Sequence, residues 1–402
     1  MIATSSHDLS GSIVTSLNLA PTAQGRLDGL TFTVKDNIDI AEHRTSYGSP
    51  AWRASHLPPV ENALCVDQLL AAGARCVGKV VADEFTYSLD GESQFFGTPR
   101  NAKAPDRIPG GSSSGSASSV GHALANFSIC TDSGGSTRVP ASLCGLWGMR
   151  PSLHRISEAG VLPFMPSVST VGIIADSLSH LDSSMRVLLR SGSGQAHPIK
   201  RLLVLADALA VADNVVQEHA IKALETLSRR TGIPVQTVSF SEISDDAYQL
   251  KDCNLEALRD MQTLEFQNTV GNWIETTKPD LGFTFSMAYG NVQSFNRQKA
   301  LESIVHCERL FELINAYLTP GTVICFPTTP VIAPMKGSLN TMDAVTDFYD
   351  RTMTITAFSG VGRLPEISAP LLSINGCPVG LSFAAAHYQD EFLLSAVHHL
   401  LA

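Results

Sequence analysis

Two clusters of glycine and serine lie close together in this sequence, at 110–116 and 133–136. Glycine allows positive φ and lets the backbone approach a ligand closely. A serine beside it can act as a nucleophile or donate a hydrogen bond to an oxyanion. A flexible glycine–serine linker would not enclose an apolar segment such as 120–125. The stretch 107–138 therefore predicts a functional site held inside a folded domain.

The composition indicates a globular protein with a sizeable core, because 44% of the 402 residues are hydrophobic and 16% are charged. The formal net charge of −10 argues against a nucleic-acid partner, since binding phosphates requires clustered Lys and Arg. No apolar run reaches the ~18 residues of a membrane span, and the first residues lack the basic and apolar parts of a signal peptide. The eight cysteines form no Cys-x-x-Cys pair, which favours free thiols in a reducing compartment. We therefore predict a cytoplasmic protein with no nucleic-acid partner and no membrane partner.

Apolar periodicity predicts an α/β fold, because strand-like and helix-like segments alternate along the chain. The predicted strands lie at 30–34, 76–81, 126–131, 146–149, 170–174, 202–205, 235–238 and 323–326, followed by a hairpin of 369–374 with 379–383. The predicted helices lie at 62–72, 116–125, 178–189, 215–231, 255–277, 297–318 and 392–400. Residues 84–111 are rich in turn formers and predict a long functional loop. No Pro- or Ser-rich linker divides the chain, so we expect a single domain over 1–402 with a helical insertion near 197–320.

The first cluster by itself also fits the pattern Gly-x-Ser-x-Gly, the nucleophile elbow of α/β-hydrolases. In that interpretation Ser113 is the nucleophile, and an acid and a histidine follow it in the chain. A loop made of glycine and serine satisfies this pattern almost by composition. His387 is the only histidine in a suitable late position, and no convincing acid precedes it. The nucleophile elbow is therefore the weaker interpretation.

The two clusters and the residues around them together resemble the amidase signature family. The segments that carry the resemblance are 33–39, 109–116, 131–138, 140–148, 150–152, 326–330, 362–368 and 376–381. The resemblance implies an amidase-signature fold, in which a central mixed β-sheet is flanked by helices on both faces. It also implies a single amidase domain over 1–402, with a catalytic core at 29–192 and 320–402 and a variable helical substrate region at 197–319.

The resemblance further implies a Ser–Ser–Lys catalytic triad. Ser136 matches the nucleophile that becomes acylated, Ser112 matches the bridging serine whose peptide bond is cis, and Lys35 matches the general base. Elementary chemistry supports these roles, because a serine hydroxyl is a poor nucleophile until a base takes its proton. A lysine can be that base only when neutral, so its pKa must fall from about 10.4 toward neutrality. Burial at the end of an apolar strand has this effect.

The second cluster matches the oxyanion hole of the family. Its predicted donors are the backbone N–H groups of Ser133, Gly134, Gly135 and Ser136. Donors held in this way stabilise the charge that develops on the carbonyl oxygen of the substrate during attack. The resemblance implies neither a cofactor nor a metal.

Other residues near the clusters have weaker assignments. In relatives the loop 85–91 lines the side of the scissile bond, which implies Thr86 and Ser88 as substrate-binding residues. Asp132 and Arg138 are expected to form a structural polar pair beneath the site, and Lys79 is a less favoured alternative base.

Two positions depart from the family pattern. Cys130 stands where glycine is usual, and Thr137 stands where an aliphatic residue is usual. The sequence alone does not determine how these two residues change the shape and polarity of the pocket that binds the acyl group of the substrate.

Within the family, the segments 83–92 and 97–101 and Arg150 are most similar to the plant-type amidase 1 and indole-3-acetamide hydrolase group. This implies hydrolysis of a small, arylacetamide-type carboxamide to a carboxylic acid and ammonia, with a small-molecule amide as the partner. Three alternatives stay open. They are the glutaminase (A) subunit of a tRNA-dependent amidotransferase, a hydrolase of allophanate or another carbamoyl-type amide, and a non-catalytic scaffold with the amidase fold. The sequence also leaves a homodimer open.

Overall fold

The structure is a computed structural model that describes residues 8–192, 198–294 and 296–402. Residues 1–7, on which the prediction about the N-terminus partly rests, lie outside the described residues. So does residue 197, where the predicted substrate region begins.

The described residues form one mixed β-sheet of eleven strands. The strands are β1 (Ile13–Leu19), β2 (Thr31–Lys35), β3 (Arg75–Val80), β4 (Phe127–Asp132), β5 (Trp147–Arg150), β6 (Thr170–Ala175), β7 (Arg201–Leu205), β8 (Val235–Val238), β9 (Thr322–Pro327), β10 (Glu366–Ile374) and β11 (Cys377–Ala384). Their order across the sheet is β1-β3-β2-β4-β6-β5-β10-β11-β9-β7-β8. β2 is parallel to β3 and β4, and β7 is parallel to β8 and β9, whereas the central strands are antiparallel. The predicted α/β class with a mixed sheet is confirmed.

Helices connect the strands. The α-helices are α1 (Pro50–Ser55), α2 (Leu64–Ala71), α3 (Ser114–Gly121), α4 (Arg138–Cys144), α5 (Leu178–Leu188), α6 (Ala206–Val211), α7 (Asn214–Thr231), α8 (Phe240–Ile243), α9 (Arg259–Phe266), α10 (Asn272–Thr277), α11 (Phe283–Gln293), α12 (Arg297–Tyr317), α13 (Met342–Val361) and α14 (Asp390–Leu401). A 3₁₀ turn spans Glu84–Thr86, and two π-helical segments span Cys253–Leu258 and Gln267–Gly271.

The sheet buries apolar side chains on both faces, because successive side chains of a strand point to opposite sides. On β7, Leu202 belongs to one apolar cluster and Leu203 to another, and Val323 and Ile324 of β9 divide in the same way. The helices α2, α5, α7 and α14 cover the first face, whereas α9, α12 and α13 cover the second. Helices therefore flank the sheet on both faces, as expected.

The parallel pairing of β2 with β4 brings the predicted site together. Parallel neighbours place their C-terminal ends at the same edge of a sheet, where ligands of α/β proteins bind. β2 ends at Lys35 and β4 ends at Asp132, directly before the second glycine–serine cluster. Because Val34 points into the first apolar cluster, Thr33 and Lys35 face the opposite side. There the Thr33 hydroxyl lies 2.9 Å from that of Ser119 on α3.

Most predicted elements are confirmed with small shifts at their ends, including the hairpin of β10 and β11. The sequence pattern does not predict α13, because its residues 355–361 are buried without interruption and so show no amphipathic period. The region 197–319 contributes β7 and β8 to the sheet in addition to its helices, and both strands lie where the sequence pattern predicts them. The division into a catalytic core and a variable region stays a prediction.

Two sequence-based expectations concern the cysteines and membrane-spanning helices. All eight cysteines are buried and unpaired, in agreement with free thiols. In the described part of the chain, no helix is both long enough and apolar enough to cross a membrane.

Candidate active site

Lys35 is fully buried at the C-terminal end of β2. Its Nζ donates to the Ser112 hydroxyl at 2.7 Å and to the Thr131 hydroxyl at 3.0 Å. Among the described residues no carboxylate forms an ion pair with it. The amino group is therefore surrounded by hydroxyl groups rather than by a counter-ion.

Burial lowers the pKa of Lys35 to about 8, because an ammonium ion loses its hydration in the protein interior. Negative charge on Cys130, Asp83 and Asp132 acts in the opposite direction and favours the ammonium. Cys130 carries such a charge only as a thiolate, and burial raises the pKa of that thiol to about 11. Near pH 8 the two carboxylates therefore supply the opposing charge, and much of Lys35 is neutral.

Ser112 lies in a loop that is fixed from two sides. It follows Gly111 through a cis peptide bond, as the resemblance implies. The Gly111 N–H donates to the Leu89 carbonyl at 2.8 Å, and the Ser112 carbonyl accepts from the Asp83 N–H at 3.0 Å. These bonds join the loop to the segment 83–91 and set the position of the Ser112 hydroxyl.

Ser136 lies between β4 and α4 and lines a cavity of about 620 Å³. Its side chain has no hydrogen-bond partner among the described residues. Helix α13 packs directly on the two preceding glycines. A Cβ atom at Gly134 would lie 2.7 Å from the Met353 sulfur, and Gly135 has a φ of 124° that favours glycine. The structure thus joins Lys35 to Ser112 and leaves the Ser136 hydroxyl open to the cavity.

A buried ion network lies beneath the loop that carries Ser136. Arg138 pairs with Asp132 at 2.8 Å and with Glu366 at 2.6 Å, and Arg150 lies 3.3 Å from Asp132. Burial alone would raise the pKa of Asp132, but the charges of Arg138 and Arg150 hold it well below its ordinary value. Asp132 therefore stays ionised, and the expected structural pairing of Asp132 with Arg138 is present.

The backbone N–H groups of the second cluster differ in what they contact. The N–H of Gly135 donates to Asp132 Oδ1 at 3.1 Å, which ties it to the ion network. Among the described residues the N–H groups of Gly134 and Ser136 have no partner, and both residues line the cavity. The Ser133 hydroxyl lies 2.6 Å from that of Ser169. Of the four predicted donors, Gly134 and Ser136 are the two best placed to reach a ligand in the cavity.

Thr86 and Ser88 both line the cavity. The Ser88 hydroxyl donates to Asp83 Oδ2 at 2.7 Å, and Asp83 Oδ1 accepts from the Ser114 hydroxyl at 2.7 Å. Burial, and then the charge of Asp90, raises the pKa of Asp83 to about 6. Asp83 therefore ties the predicted substrate loop to the start of α3, behind Ser112.

Three residues of this site are absent from the sequence-based prediction: Thr131, Asp83 and Asn254. Thr131 lies in a motif that the sequence does single out, and its strand position places it beside Lys35. Asp83 begins the segment 83–92, which carries part of the family resemblance but gives this residue no role of its own. Asn254 lines the cavity from the region 197–319, whose sequence motifs carry little of the family resemblance.

The residues named in the weaker sequence interpretations make other contacts. Lys79 is fully buried, but its Nζ pairs with Asp36 at 2.8 Å instead of contacting a serine. The Ser113 hydroxyl donates to the Thr131 carbonyl at 3.3 Å, and His387 Nδ1 lies 2.7 Å from the Arg363 carbonyl. Within the described ranges, no cluster of three or more His, Cys, Asp or Glu side chains is arranged to hold a metal ion.

The chain is similar to known proteins both in sequence and in fold. The family model described as Amidase matches residues 17–206. Amidase 1 of Arabidopsis thaliana is 32% identical, over 98% of this chain and 98% of that protein. Translocon at the outer membrane of chloroplasts 64 of Pisum sativum is 29% identical, over 94% of this chain and 66% of that protein. A crystal structure of an amidase has a TM-score of 0.81 at 24% identity, covering 94% of this chain and 85% of that one.

Proposed function

The chain belongs to the amidase signature family of hydrolases, and from this premise we propose that it hydrolyses a small carboxamide to a carboxylic acid and ammonia. The proposal assigns Ser136 as the nucleophile, Ser112 as the bridging serine and Lys35 as the general base. It needs no cofactor and no metal.

Proton transfer runs through the three side chains of the triad. Neutral Lys35 takes the proton of the Ser112 hydroxyl while Ser112 takes that of Ser136. The Ser136 oxygen then forms a bond to the carbonyl carbon of the substrate. The tetrahedral intermediate breaks its C–N bond, and ammonia leaves with the proton that Ser112 returns. Water attacks the acyl-enzyme by the same route and releases the carboxylic acid.

Backbone donors stabilise the negative oxygen of the tetrahedral intermediate. Gly134 and Ser136 carry this role, because their N–H groups are unpaired among the described residues and both residues line the cavity. Gly135 serves mainly to hold the loop on Asp132. One such donor contributes about 2.7–4 kcal/mol to transition-state stabilisation.

The cavity supports a small amide with an aromatic or other apolar acyl group. Its volume of about 620 Å³ is within the usual range of small-molecule sites. Phe164, Met353 and Tyr87 supply apolar and aromatic wall, and Thr86 and Ser88 line the same cavity. In this proposal 29–192 and 320–402 form the catalytic core, and 197–319 forms the variable wall on the substrate side.

The observation that carries the proposal is the 2.7 Å contact between Lys35 and Ser112 without a carboxylate ion pair. A buried lysine beside hydroxyl groups is a base near neutrality, whereas a lysine paired with a carboxylate stays protonated. This environment supplies the neutral amine that the reaction needs.

Incubation of the purified chain with indole-3-acetamide and with phenylacetamide tests the proposal. We expect ammonia release from at least one amide, and a loss of roughly 10³-fold or more in kcat for Ser136→Ala. Ser113→Ala is the matched control, because Ser113 lies in the first cluster and its hydroxyl donates to the Thr131 carbonyl instead of to Lys35 or Ser136. A loss of activity in Ser113→Ala with activity kept in Ser136→Ala would reverse the assignment, and no ammonia from either amide would reject the substrate class.

A non-catalytic scaffold role is the alternative that a specific similarity favours, since the relative from Pisum sativum is named as a translocon component. A fluorophosphonate probe separates the two, because it labels only an activated serine. Labelling at Ser136 supports catalysis, whereas a folded chain that stays unlabelled supports the scaffold. The cytoplasmic location and a homodimer stay predictions.

A further inference from the structure

Asn254 lines the cavity that contains Ser136, yet its side chain is nearly sealed from solvent, with only 4% of the residue exposed. Among the described residues its carboxamide has no hydrogen-bond partner. Its neighbours Cys253, Ala257 and Leu258 are buried in an apolar cluster. A largely buried amide without a protein partner can satisfy its hydrogen bonds only with what occupies the cavity. Such a group is therefore expected to bind something that enters the cavity.

Several other polar side chains that line the cavity are already engaged. The Thr263 hydroxyl donates to the Arg259 carbonyl at 3.0 Å, and the Arg259 guanidinium pairs with Asp350 at 2.9 Å. The Tyr349 hydroxyl donates to Asp90 at 2.9 Å. These groups serve the fold of the wall, whereas Asn254 keeps its full hydrogen-bonding capacity.

The backbone around Asn254 is also unusual. The residue lies in the π-helical segment Cys253–Leu258, and short π-helical segments in helices recur at functional sites. The segment packs close to the nucleophile loop: a Cβ atom at Gly360 of α13 would lie 3.5 Å from Leu258 Cδ1 and 3.5 Å from the Ser133 carbonyl oxygen. The π-helical segment and the nucleophile loop therefore meet at the same face of α13.

We propose that Asn254 is a specificity-determining residue whose carboxamide hydrogen-bonds a polar atom on the acyl portion of the substrate. This inference rests on the proposed function, which it extends from a small carboxamide to one class of carboxamide. The acyl group of that class carries a hydrogen-bond donor or acceptor on an otherwise apolar frame, because Phe164, Met287 and Met353 form the apolar wall around the cavity. A carboxamide both donates and accepts, so a ring N–H and a phenolic hydroxyl both fit.

Binding to the Ser136→Ala variant tests the inference without turnover. Two matched pairs of amides serve as probes: 4-hydroxyphenylacetamide with phenylacetamide, and indole-3-acetamide with 1-benzothiophene-3-acetamide. By calorimetry we expect the polar member of at least one pair to bind roughly threefold to tenfold more tightly, the range of one net hydrogen bond. Adding Asn254→Leu, which keeps a similar side-chain volume, should remove this preference. Thr263→Val is the matched control and should keep it, because the Thr263 hydroxyl is already bonded to the backbone.

The outcomes separate this inference from the proposed function. Absence of ammonia release by the unaltered chain counts against amide hydrolysis, whereas the binding ratio decides the role of Asn254 in either case. An equal preference with and without Asn254→Leu overturns the inference, and so does the absence of any preference in Ser136→Ala. If Asn254→Leu does not fold, as judged by circular dichroism, Asn254→Ala replaces it with the same expected loss.

Discussion

Two fully buried lysines lie on neighbouring strands of this sheet, and their surroundings differ in one decisive respect. Lys35 on β2 contacts the hydroxyls of Ser112 and Thr131, and we call these three residues the base site. Lys79 on β3 contacts Asp36 at 2.8 Å and the Thr45 hydroxyl at 2.8 Å. We call Lys79, Asp36 and Thr45 the ion-pair site.

The comparison shows that the partner, and not burial alone, decides what a buried lysine does. Both side chains have no exposure. The hydroxyl partners of Lys35 carry no charge, and Asp83 and Asp132 offset the burial penalty on its ammonium only in part, so the pKa of Lys35 falls to about 8. At the ion-pair site a carboxylate at 2.8 Å compensates the charge, which makes Lys79 a structural cation.

The largest effect is expected when the base site loses its amine. Lys35→Met should lower kcat for amide hydrolysis roughly 10²- to 10⁴-fold, because no other group takes the proton of Ser112. Its free energy of unfolding should change by less than about 1.5 kcal/mol, since methionine has a similar volume and the amine has no ion pair to leave behind. Steady-state kinetics and urea unfolding measure both quantities. Activity that survives in Lys35→Met would remove Lys35 from the mechanism.

The ion-pair site should respond in the opposite way. Lys79→Met leaves the Asp36 carboxylate buried without a counter-charge, so the free energy of unfolding should fall by about 3–5 kcal/mol. Removing the second charge in Lys79→Met/Asp36→Asn should recover part of that loss. The folded fraction of the single variant should still react with a fluorophosphonate at Ser136. If Lys79→Met were stable but did not react with the fluorophosphonate, Lys79 and not Lys35 would be the base.

The pH dependence of kcat/KM reports the protonation of the base site. In the proposed mechanism the reactive form of Lys35 is the neutral amine, whose fraction falls about tenfold for each pH unit below its pKa. With that pKa at about 8, kcat/KM should rise with pH up to about 8 and then level off. The same lysine makes stability rise with pH between about 8 and 10.5, because there the unfolded chain holds a proton that the folded chain has released. A profile that stays flat from pH 6 to 9 would contradict a lysine base.

The smallest effect should come from the carboxylate that lies near the base site without pairing to it. The charge of Asp83 favours the protonated form of Lys35. Asp83→Asn should therefore lower the pH at which kcat/KM rises, by less than about one pH unit. Asp90→Asn is the matched control, because Asp90 acts on Asp83 and not directly on Lys35. Because Asp83, with its pKa at about 6, is already ionised near pH 8, Asp90→Asn should not change the pH at which kcat/KM rises. A shift to higher pH in Asp83→Asn would contradict the assigned sign.

Much of the fold follows from local pattern. Strands such as β2 and β7 are short runs of β-branched and apolar residues, and the Asn375–Gly376 turn specifies the hairpin of β10 and β11. Helix α13 does not follow from pattern, because strand β9, the π-helical segment, α6 and α12 pack against several of its sides at once. Its place decides how close Met353 comes to Gly134, so part of the cavity wall also lies beyond sequence reasoning.

The candidate site also has one part that sequence motifs predict and another part that they do not. The glycine–serine clusters and the lysine at a strand end point to Ser136, Ser112 and Lys35 through their motifs. Asn254 lies in the region whose sequence motifs carry little of the family resemblance, and only its burial and lack of partners single it out.

The sequence by itself determined the α/β alternation, the two glycine–serine clusters and the family to which they belong, because these depend on residue types at fixed local spacing. Only the tertiary structure decided which buried lysine has hydroxyl partners and which has a carboxylate. Lys35 meets Ser112 across 77 residues of chain, through the pairing of β2 with β4 and the loop bonds to the segment 83–91. The pKa of a buried amine depends on desolvation and on the charges within a few ångströms, and both are set by contacts between segments that are distant in sequence.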